Sequence, residues 1–197
     1  MRDYSRFEVW APKAGTVTLA LEPRFEEKRR EITLEHGEGS WWHAPGVEAH
    51  PGDRYGFLLD DSPVALPDPR ALAQPEGVHA LSEVVDPRAF TFTAPWEGMD
   101  LRGKVIYELH IGTFAADRET GASGTFDSAI TRLDALVELG VDAVEVMPVA
   151  AFPGERGWGY DGVGLFATHE AYGGPEAFAR FIDAAHERGL AVIVDVV

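Results

Sequence analysis

The sequence of 197 residues contains no cysteine and no asparagine, and its single glutamine is Gln74. The missing cysteines exclude disulfide bonds, thiolate nucleophiles and Cys-ligated zinc or iron–sulfur centres. Basic residues are also scarce, 17 against 33 acidic ones, which gives a net charge of −16. Nucleic acids and anionic membranes require basic patches, so we expect neither as a partner of this chain. The scarcity of amide side chains fits a thermophilic origin and a GC-rich genome equally well.

Long apolar stretches are missing as well. No uninterrupted apolar run approaches the roughly 18 residues that a membrane-spanning helix needs. The first residues, MRDYSRFEVWAP, are charged and lack the apolar centre of a signal peptide. We therefore expect a cytoplasmic protein, and the 45% of hydrophobic residues suffice for a substantial core. The sequence leaves the oligomeric state open.

Residues 1–94 have the pattern of a β domain, because short runs of alternating apolar and polar residues are separated by turn signals. The apolar positions of these runs are Phe7 and Val9, Val17, Leu19 and Leu21, Ile32 and Leu34, and Tyr55, Phe57 and Leu59. The turn signals are 12–15, 35–39 and 50–53. Period-two runs with such turns predict an antiparallel β-sandwich. Four prolines between positions 60 and 75 predict an irregular covering segment rather than a strand.

Residues 95–197 form the second predicted domain, in which strands alternate with helices. The strands cover 105–111, 141–147 and 190–197. A first helix is capped by Thr125 or Asp127, buries Ile130, Leu133, Leu136 and Val137, and ends at Gly140. A second starts at Pro175, buries Phe178, Phe181, Ile182 and Ala185, and ends at Gly189. The order predicts right-handed βαβ units of a parallel α/β fold, in which the first and third strands are covered on both faces.

The segment 150–172 carries the strongest functional signal, because it follows a parallel strand and exceeds the usual βα loop of about 2–6 residues. Its candidate ligand-binding side chains are Phe152, Trp158, Tyr160, Asp161 and Tyr172. Aromatic rings stack on the C–H faces of sugar rings, and carboxylates accept hydrogen bonds from sugar hydroxyls. The segment therefore predicts a sugar site at the strand ends. The alternative is that the aromatic rings only pack the loop onto the domain.

Four polar strand residues are further candidates with two interpretations each. Glu108, His110 and Glu145 either face a site or are polar groups satisfied inside a barrel. Asp195, near the end of the last strand, is either a functional carboxylate or a structural acid. The pair Trp41–Trp42 is either a carbohydrate platform or part of a packed core. The histidines show no metal-ligand spacing such as HExxH, so we expect no metal and no other cofactor.

Four segments resemble the opening third of an α-amylase superfamily (β/α)8 barrel. The resemblance implies an immunoglobulin-like β-sandwich of the early-set type, followed by the first three strands and two helices of an incomplete (β/α)8 barrel. They are YELHIGTF (107–114), VEVMPVAAFPGERGWGYDG (144–162), AYGGPEAFARFIDAAHERGL (171–190) and VIVDVV (192–197). The last resembles the start of the superfamily's first signature, Asp-Val-Val-x-Asn-His. Within the superfamily the chain is most similar to the malto-oligosyltrehalose trehalohydrolases, a similarity supported by residues 68–87. Branching enzymes and isoamylase-type debranching enzymes share the same domain order.

This resemblance implies a retaining glycoside hydrolase whose partner is maltooligosyltrehalose or a related α-1,4-glucan. Such an enzyme cuts the α-1,4 bond next to the trehalose unit with a nucleophilic Asp and an acid Glu about 5–5.5 Å apart. In the family these follow the fourth and fifth barrel strands, so we expect both beyond Val197 and no catalytic residue within the chain. The resemblance assigns substrate binding to Tyr160, which stacks below the cleaved sugar, supported by Trp158, Asp161 and Asp195. The alternatives are a branching or debranching enzyme fragment and a non-catalytic glucan-binding module.

Overall fold

The computed structural model describes residues 6–26 and 28–197. The chain divides into two compact units, Met1–Asp86 and Pro87–Val197. The sequence predicts the domain limit a few residues later, between 94 and 95, and this limit stays a prediction.

The first unit is built from antiparallel strands. They are β1 (Arg6–Trp10), β2 (Val17–Glu22), β3 (Arg30–Thr33), β4 (Glu35–His36), β5 (Trp41–Pro45), β6 (Arg54–Leu59) and β7 (Ser82–Glu83). One sheet has the order β1-β5-β4 and the other the order β3-β2-β6-β7. The predicted sandwich is confirmed, and the alternation that predicted it has a physical basis, because successive side chains of a strand point to opposite faces of the sheet. Sequence reasoning did not find β4, β5 and β7.

The core of the sandwich contains most of the predicted inward-facing positions, whereas Ile32 and Leu59 are only partly buried. Val17, Leu19 and Leu21 of β2 are fully buried, and Tyr55 and Phe57 of β6 are nearly so. The tryptophan pair divides its roles between the two faces of β5. Trp42 is buried in this core, whereas the half-buried Trp41 lies under the Arg70 guanidinium, 5.1 Å from its ring centroid. For Trp42 the packing interpretation is therefore the right one.

The proline-rich segment after β6 is irregular, as predicted, but it also supplies a buried carboxylate. Asp68 is 1% exposed and accepts a 2.8 Å hydrogen bond from the Tyr55 hydroxyl. The Asp68 backbone N–H donates to Ser82 Oγ at 2.9 Å. A buried charge is tolerated only when hydrogen bonds replace its lost hydration. These contacts therefore fix the segment against the sheet.

The second unit contains the predicted parallel strands and additional elements. They are β8 (Ile106–Leu109), α1 (Ile111–Phe114), α2 (Phe126–Ile130), α3 (Leu133–Leu139), β9 (Ala143–Val146), β10 (Ala150–Ala151), β11 (Gly164–Thr168), α4 (Gly174–Glu187) and β12 (Ala191–Val194). The sheet order is β12-β9-β8 with both pairs parallel, which confirms the start of a barrel. Among the described residues no helix is long and apolar enough to cross a membrane.

The first predicted helix is two helices in the structure. Thr125 is its N-cap, and the capping box with Ser128 confirms the prediction at that end. The helix breaks after Ile130 and resumes at Leu133. Val137 was wrongly placed on the buried face, since it is 42% exposed while Leu133 and Leu136 are buried. Gly140 ends α3 in the left-handed conformation, as expected of a helix C-terminus.

The second predicted helix, α4, packs on α2 through aromatic rings. Phe126 lies 4.8 Å from Phe178 and 5.7 Å from Phe181, measured between ring centroids. Cover on both faces of the sheet is not observed, because Ile106 and Glu108, which share one face of β8, are both exposed. Leu109, Val144 and Val146, by contrast, are buried in the cluster that also contains helix residues. The helix-facing side of the sheet is therefore the one that forms the core.

Candidate functional site

Three acids and a phenol lie near one another, two of the acids inside the parallel strands and the third directly after one. Glu108 of β8 and Glu145 of β9 are in register, and Ile193 of β12 is the next residue across the sheet. Asp195 follows β12 directly, and its backbone N–H donates to the Val146 carbonyl at 2.9 Å. The Tyr160 hydroxyl donates to Asp195 Oδ2 at 2.8 Å. Two of the predicted site residues thus contact each other although 35 positions separate them.

The three neighbouring acids affect the pKa of the Tyr160 phenol. The hydrogen bond to Asp195 raises the pKa of the Tyr160 phenol above its ordinary value, and the nearby charges of Glu108 and Glu145 act in the same direction. The phenol therefore remains a neutral donor at physiological pH. Tyr160 is 50% exposed, so its ring face is accessible to a ligand while its hydroxyl is held by the strand end.

The segment 152–160, which we call the aromatic arm, presents Trp158 and Tyr160 on either side of Gly159. Trp158 is 69% exposed. Gly159 has a φ of +85°, and a Cβ there would lie 2.2 Å from the Pro148 carbonyl oxygen. Both the backbone conformation and the lack of space require glycine. Asp161 follows as an exposed carboxylate.

His110 and Tyr172 anchor the aromatic arm to the domain. His110 Nε2 lies 2.8 Å from the Gly157 carbonyl oxygen and 2.9 Å from Tyr172 Oη, and Tyr172 Oη donates to the same carbonyl at 3.0 Å. His110 Nδ1 is 3.0 Å from Thr113 Oγ1. Burial raises the pKa of Tyr172 to about 12. His110 is therefore a satisfied polar group that holds the arm, and sequence reasoning had left this open.

The prediction that Phe152 and Tyr172 bind a ligand is wrong. Phe152 and Tyr172 are each 1% exposed, and His169 stacks on Phe152 with 3.7 Å between ring centroids. The segment 150–172 is no open loop either, because β10 and β11 pair as an antiparallel hairpin within it. For these two rings the packing alternative holds, whereas Trp158, Tyr160 and Asp161 remain accessible.

His169 is a buried polar residue that sequence reasoning did not single out. It is 5% exposed, and its Nε2 has no hydrogen-bond partner among the described residues. Burial lowers the pKa of the His169 ring, and the charge of Asp161 opposes this shift. The ring therefore carries no charge at neutral pH and packs as part of the core beneath the arm.

A cleft of about 450 Å³ opens beside the aromatic arm. One wall is α1 and the loop after it, and the other is the arm itself. The lining residues are His110, Gly112, Thr113, Ala116, Asp117, Gly121, Ala122, Ser123, Glu155, Arg156, Gly157, Trp158 and Tyr172. No motif in the sequence indicates this cleft, because its loop wall contains only small and polar residues.

The arrangement can bind a neutral polyhydroxyl ligand. It offers exposed aromatic faces for stacking and carboxylates for accepting hydrogen bonds. The described parts of the chain contain no group of three or more His, Asp or Glu side chains that could hold a metal ion.

Comparison with protein-family models gives the second unit its family. The model of the alpha amylase catalytic domain matches residues 97–197, just over half of the chain. The chain belongs to the alpha-amylase family. The first part of this alpha-amylase family member, residues 2–71, matches carbohydrate-binding module 48, also described as the isoamylase N-terminal domain. The resemblance inferred from the four sequence segments is thereby confirmed.

Curated relatives of this family member include several malto-oligosyltrehalose trehalohydrolases. The protein of Rhizobium sp. (strain M-11) is 53% identical over 98% of this chain and 31% of its own length. The protein of Saccharolobus solfataricus is 41% identical over 97% of this chain and 32% of its own length. A 1,4-alpha-glucan branching enzyme of Ralstonia nicotianae is 37% identical over 96% of this chain and 26% of its own length. The chain thus spans about a third of the length of the trehalohydrolases it matches.

Solved structures agree with the family. A Salmonella typhimurium protein, provisionally assigned as an alpha amylase, is 44% identical with a TM-score of 0.84, covering 97% of this chain and 31% of that one. A pullulanase from Anoxybacillus sp. LM18-11 in complex with maltotriose has a TM-score of 0.82 over 100% of this chain and 33% of that one. At 24% identity the pullulanase shows the shared fold alone.

Proposed function

We propose that the chain supplies the N-terminal sandwich and the first barrel strands of a retaining glycoside hydrolase that releases trehalose from maltooligosyltrehalose. The observation that carries this proposal is the 53% identity with a malto-oligosyltrehalose trehalohydrolase over 98% of the chain. The similarity includes the aromatic arm and the segment around Asp195, so it covers the surface on which the chemistry of this fold is built.

In this proposal Tyr160 is the stacking platform for the sugar ring next to the cleaved bond. Its ring is half exposed and its hydroxyl is fixed by Asp195. The role of Asp195 is to position Tyr160 rather than to react. Trp158 supplies a second aromatic face, and Asp161 accepts hydrogen bonds from sugar hydroxyls.

The two catalytic carboxylates are not assigned to Glu108 and Glu145. These acids are neighbours on β8 and β9, but they lie within the strands, whereas barrel enzymes place reacting groups at or after the strand ends. The resemblance assigns the nucleophilic Asp and the acid Glu to the fourth and fifth strands of the barrel. The described sheet contains three strands, β8, β9 and β12.

Product analysis of the full-length gene product tests the proposal. With maltotriosyltrehalose as substrate we expect free trehalose and maltotriose. NMR should show the newly formed reducing end of maltotriose first as the α-anomer, because the enzyme retains the configuration. Absence of trehalose in the products would refute the assignment. A cytoplasmic location also stays a proposal, testable by fractionation of the source cells.

A second candidate, glucan branching, has one observation in its favour: the 37% identity with a branching enzyme. A branching enzyme transfers an α-1,4 segment to a 6-hydroxyl and leaves α-1,6 links. The same full-length gene product incubated with amylose distinguishes the two, because branching produces α-1,6 signals in the NMR spectrum and trehalose release does not.

A further inference from the structure

We propose that the cleft between α1 and the aromatic arm binds a further glucosyl unit of the glucan, beyond the ring that stacks on Tyr160. This inference rests on the proposed function, since it assumes a glucan at the strand ends. It assigns a binding role to residues in the loop after α1, which no sequence motif singled out.

The size and the small wall residues of the cleft suit a sugar ring. Its volume of about 450 Å³ falls in the range of roughly 300–1,000 Å³ usual for small-molecule sites. Gly112, Ala116 and Ala122 line it without filling it. The loop returns close to α1 at Gly124, where a Cβ would lie 2.3 Å from the Ile111 carbonyl oxygen. Small residues in this wall therefore leave space in the cleft and allow the loop to approach α1 closely.

The cleft contains hydrogen-bonding groups that no described residue uses. Ser123, Glu155 and Trp158 line it, and no side-chain hydrogen bond joins any of the three to another described residue. They comprise a hydroxyl, an acceptor pair and a donor. This combination matches a sugar, whose hydroxyls both donate and accept.

The charge of the cleft favours a neutral ligand over an anion. Hydrogen bonds from the Thr120 side chain and from the backbone N–H groups of Glu119 and Thr120 lower the pKa of Asp117, so this carboxylate is ionised. Glu155 is the second acid of the lining, against the single guanidinium of Arg156. A phosphate or carboxylate ligand would meet repulsion here, and a glucosyl unit would not.

The walls are held in place before a ligand arrives. Arg156 Nη2 donates to the Gly121 carbonyl at 3.4 Å, which connects the two walls. The floor is fixed by His110 and Tyr172, which both bond the Gly157 carbonyl. A preformed site loses less entropy on binding than a mobile one.

The cleft and the proposed stacking site share the aromatic arm. Trp158 lines the cleft and lies two residues before Tyr160 on the same arm. A glucan that stacks on Tyr160 and continues past Trp158 reaches the cleft with its next units. The inference therefore predicts a dependence on chain length: short oligosaccharides avoid the cleft, and longer ones use it.

Filling the cleft tests this prediction in the full-length gene product. Ala122→Trp places an indole in the cleft at an exposed position, and Ala135→Trp on the exposed side of α3 is the matched control. Calorimetric titration gives the affinity for maltose and for maltohexaose. We expect Ala122→Trp to weaken maltohexaose binding about tenfold, the equivalent of one or two lost hydrogen bonds, and to leave maltose binding within about twofold. Ala135→Trp should change neither.

The possible results separate this inference from the proposed function. Unchanged maltohexaose affinity in Ala122→Trp overturns the cleft as a subsite, even if trehalose is released. Equal weakening of maltose and maltohexaose also overturns it, because the effect then reaches the stacking site. If maltohexaose binding alone weakens but no trehalose is released, the cleft assignment stands and the trehalose-releasing activity is refuted.

Discussion

The Tyr160 hydroxyl lies 2.8 Å from Asp195 Oδ2, and this hydrogen bond joins the aromatic arm to the end of the third parallel strand. The contact limits rotation of the Tyr160 ring, which the arm alone would leave free to turn. It also occupies one oxygen of the Asp195 carboxylate.

The first prediction concerns the charge on Asp195. Asp195→Asn keeps an oxygen acceptor but removes the negative charge, so the pKa of the Tyr160 phenol should fall toward its ordinary value of 10.0. Ultraviolet titration near 295 nm measures phenolate formation, and a Tyr160→Phe variant identifies the contribution of this residue. An unchanged titration curve in Asp195→Asn would contradict the contact.

The second prediction concerns Gly159. In Gly159→Ala the methyl group collides with the Pro148 carbonyl, so the arm must move and Tyr160 loses its position. We expect glucan affinity to fall about tenfold or more. The matched control is Gly154→Ala, which has a φ of +82° but no atom within 4 Å of the new Cβ.

The control separates conformational strain from collision. Gly154→Ala should cost only about 1–2 kcal/mol of stability, the price of a left-handed conformation for alanine, and should leave glucan affinity unchanged. Equal losses of glucan affinity in both variants, measured by calorimetry, would show that space at Gly159 is unimportant.

The third prediction concerns the buried carboxylate of the sandwich. Tyr55→Phe removes the hydrogen bond that Asp68 accepts, and the free energy of unfolding of the first unit should fall by roughly 1–3 kcal/mol. Urea denaturation followed by circular dichroism gives the value. Tyr107→Phe is the comparison, because Tyr107 is 37% exposed and its loss should change stability by less than about 0.5 kcal/mol.

The fourth prediction concerns pH. The pKa of the His169 ring is lower in the folded chain than the ordinary 6.5, so the unfolded chain binds the proton more tightly. Stability should therefore be constant above about pH 7 and fall as the pH decreases through 6.5, by at most about 1.4 kcal/mol per pH unit for this group.

His169→Gln should reduce this slope while retaining a polar side chain. The measurement is the difference in melting temperature of the second unit between pH 5.5 and pH 8, compared between the wild type and the variant. Burial also lowers the pKa of His186, which is present in both proteins, so part of the pH dependence should persist in the variant. If His169→Gln has the slope of the wild type, the ring is not buried as described.

The fifth prediction concerns activity of the 197-residue chain by itself. We expect no release of trehalose from maltooligosyltrehalose, because the resemblance assigns both catalytic carboxylates to barrel strands other than β8, β9 and β12. Chromatography of the products checks this, with the full-length gene product as the positive control. Trehalose formation by the chain alone would mean that described acids such as Glu108 and Glu145 perform the reaction.

The sequence predicted most of the fold because the local signals were strong. Alternation at Val17, Leu19 and Leu21 determines which face of β2 is buried, and Thr125 and Gly140 mark helix ends by their chemistry. The break between α2 and α3 was not predicted, because the apolar spacing continues across Thr131 and Arg132.

The site was harder to predict because burial depends on tertiary structure. Phe152 and Trp158 are both aromatic and six positions apart, yet one is packed under His169 and the other faces solvent. The anchor of His110 on the Gly157 carbonyl joins residues 47 positions apart, and no pattern in the sequence encodes such a contact. The cleft escaped for the same reason, because it is formed by two segments rather than by one motif.

Within residues 6–26 and 28–197, the two hydrophobic clusters share no residue: one runs from Phe7 to Val84 and the other from Leu109 to Leu190. Each unit thus has its own source of cooperativity, and melting of the whole chain is not expected to follow a single all-or-none transition. A core substitution in one unit should shift one calorimetric peak and leave the other in place. The stability of this chain is therefore described by two numbers rather than one.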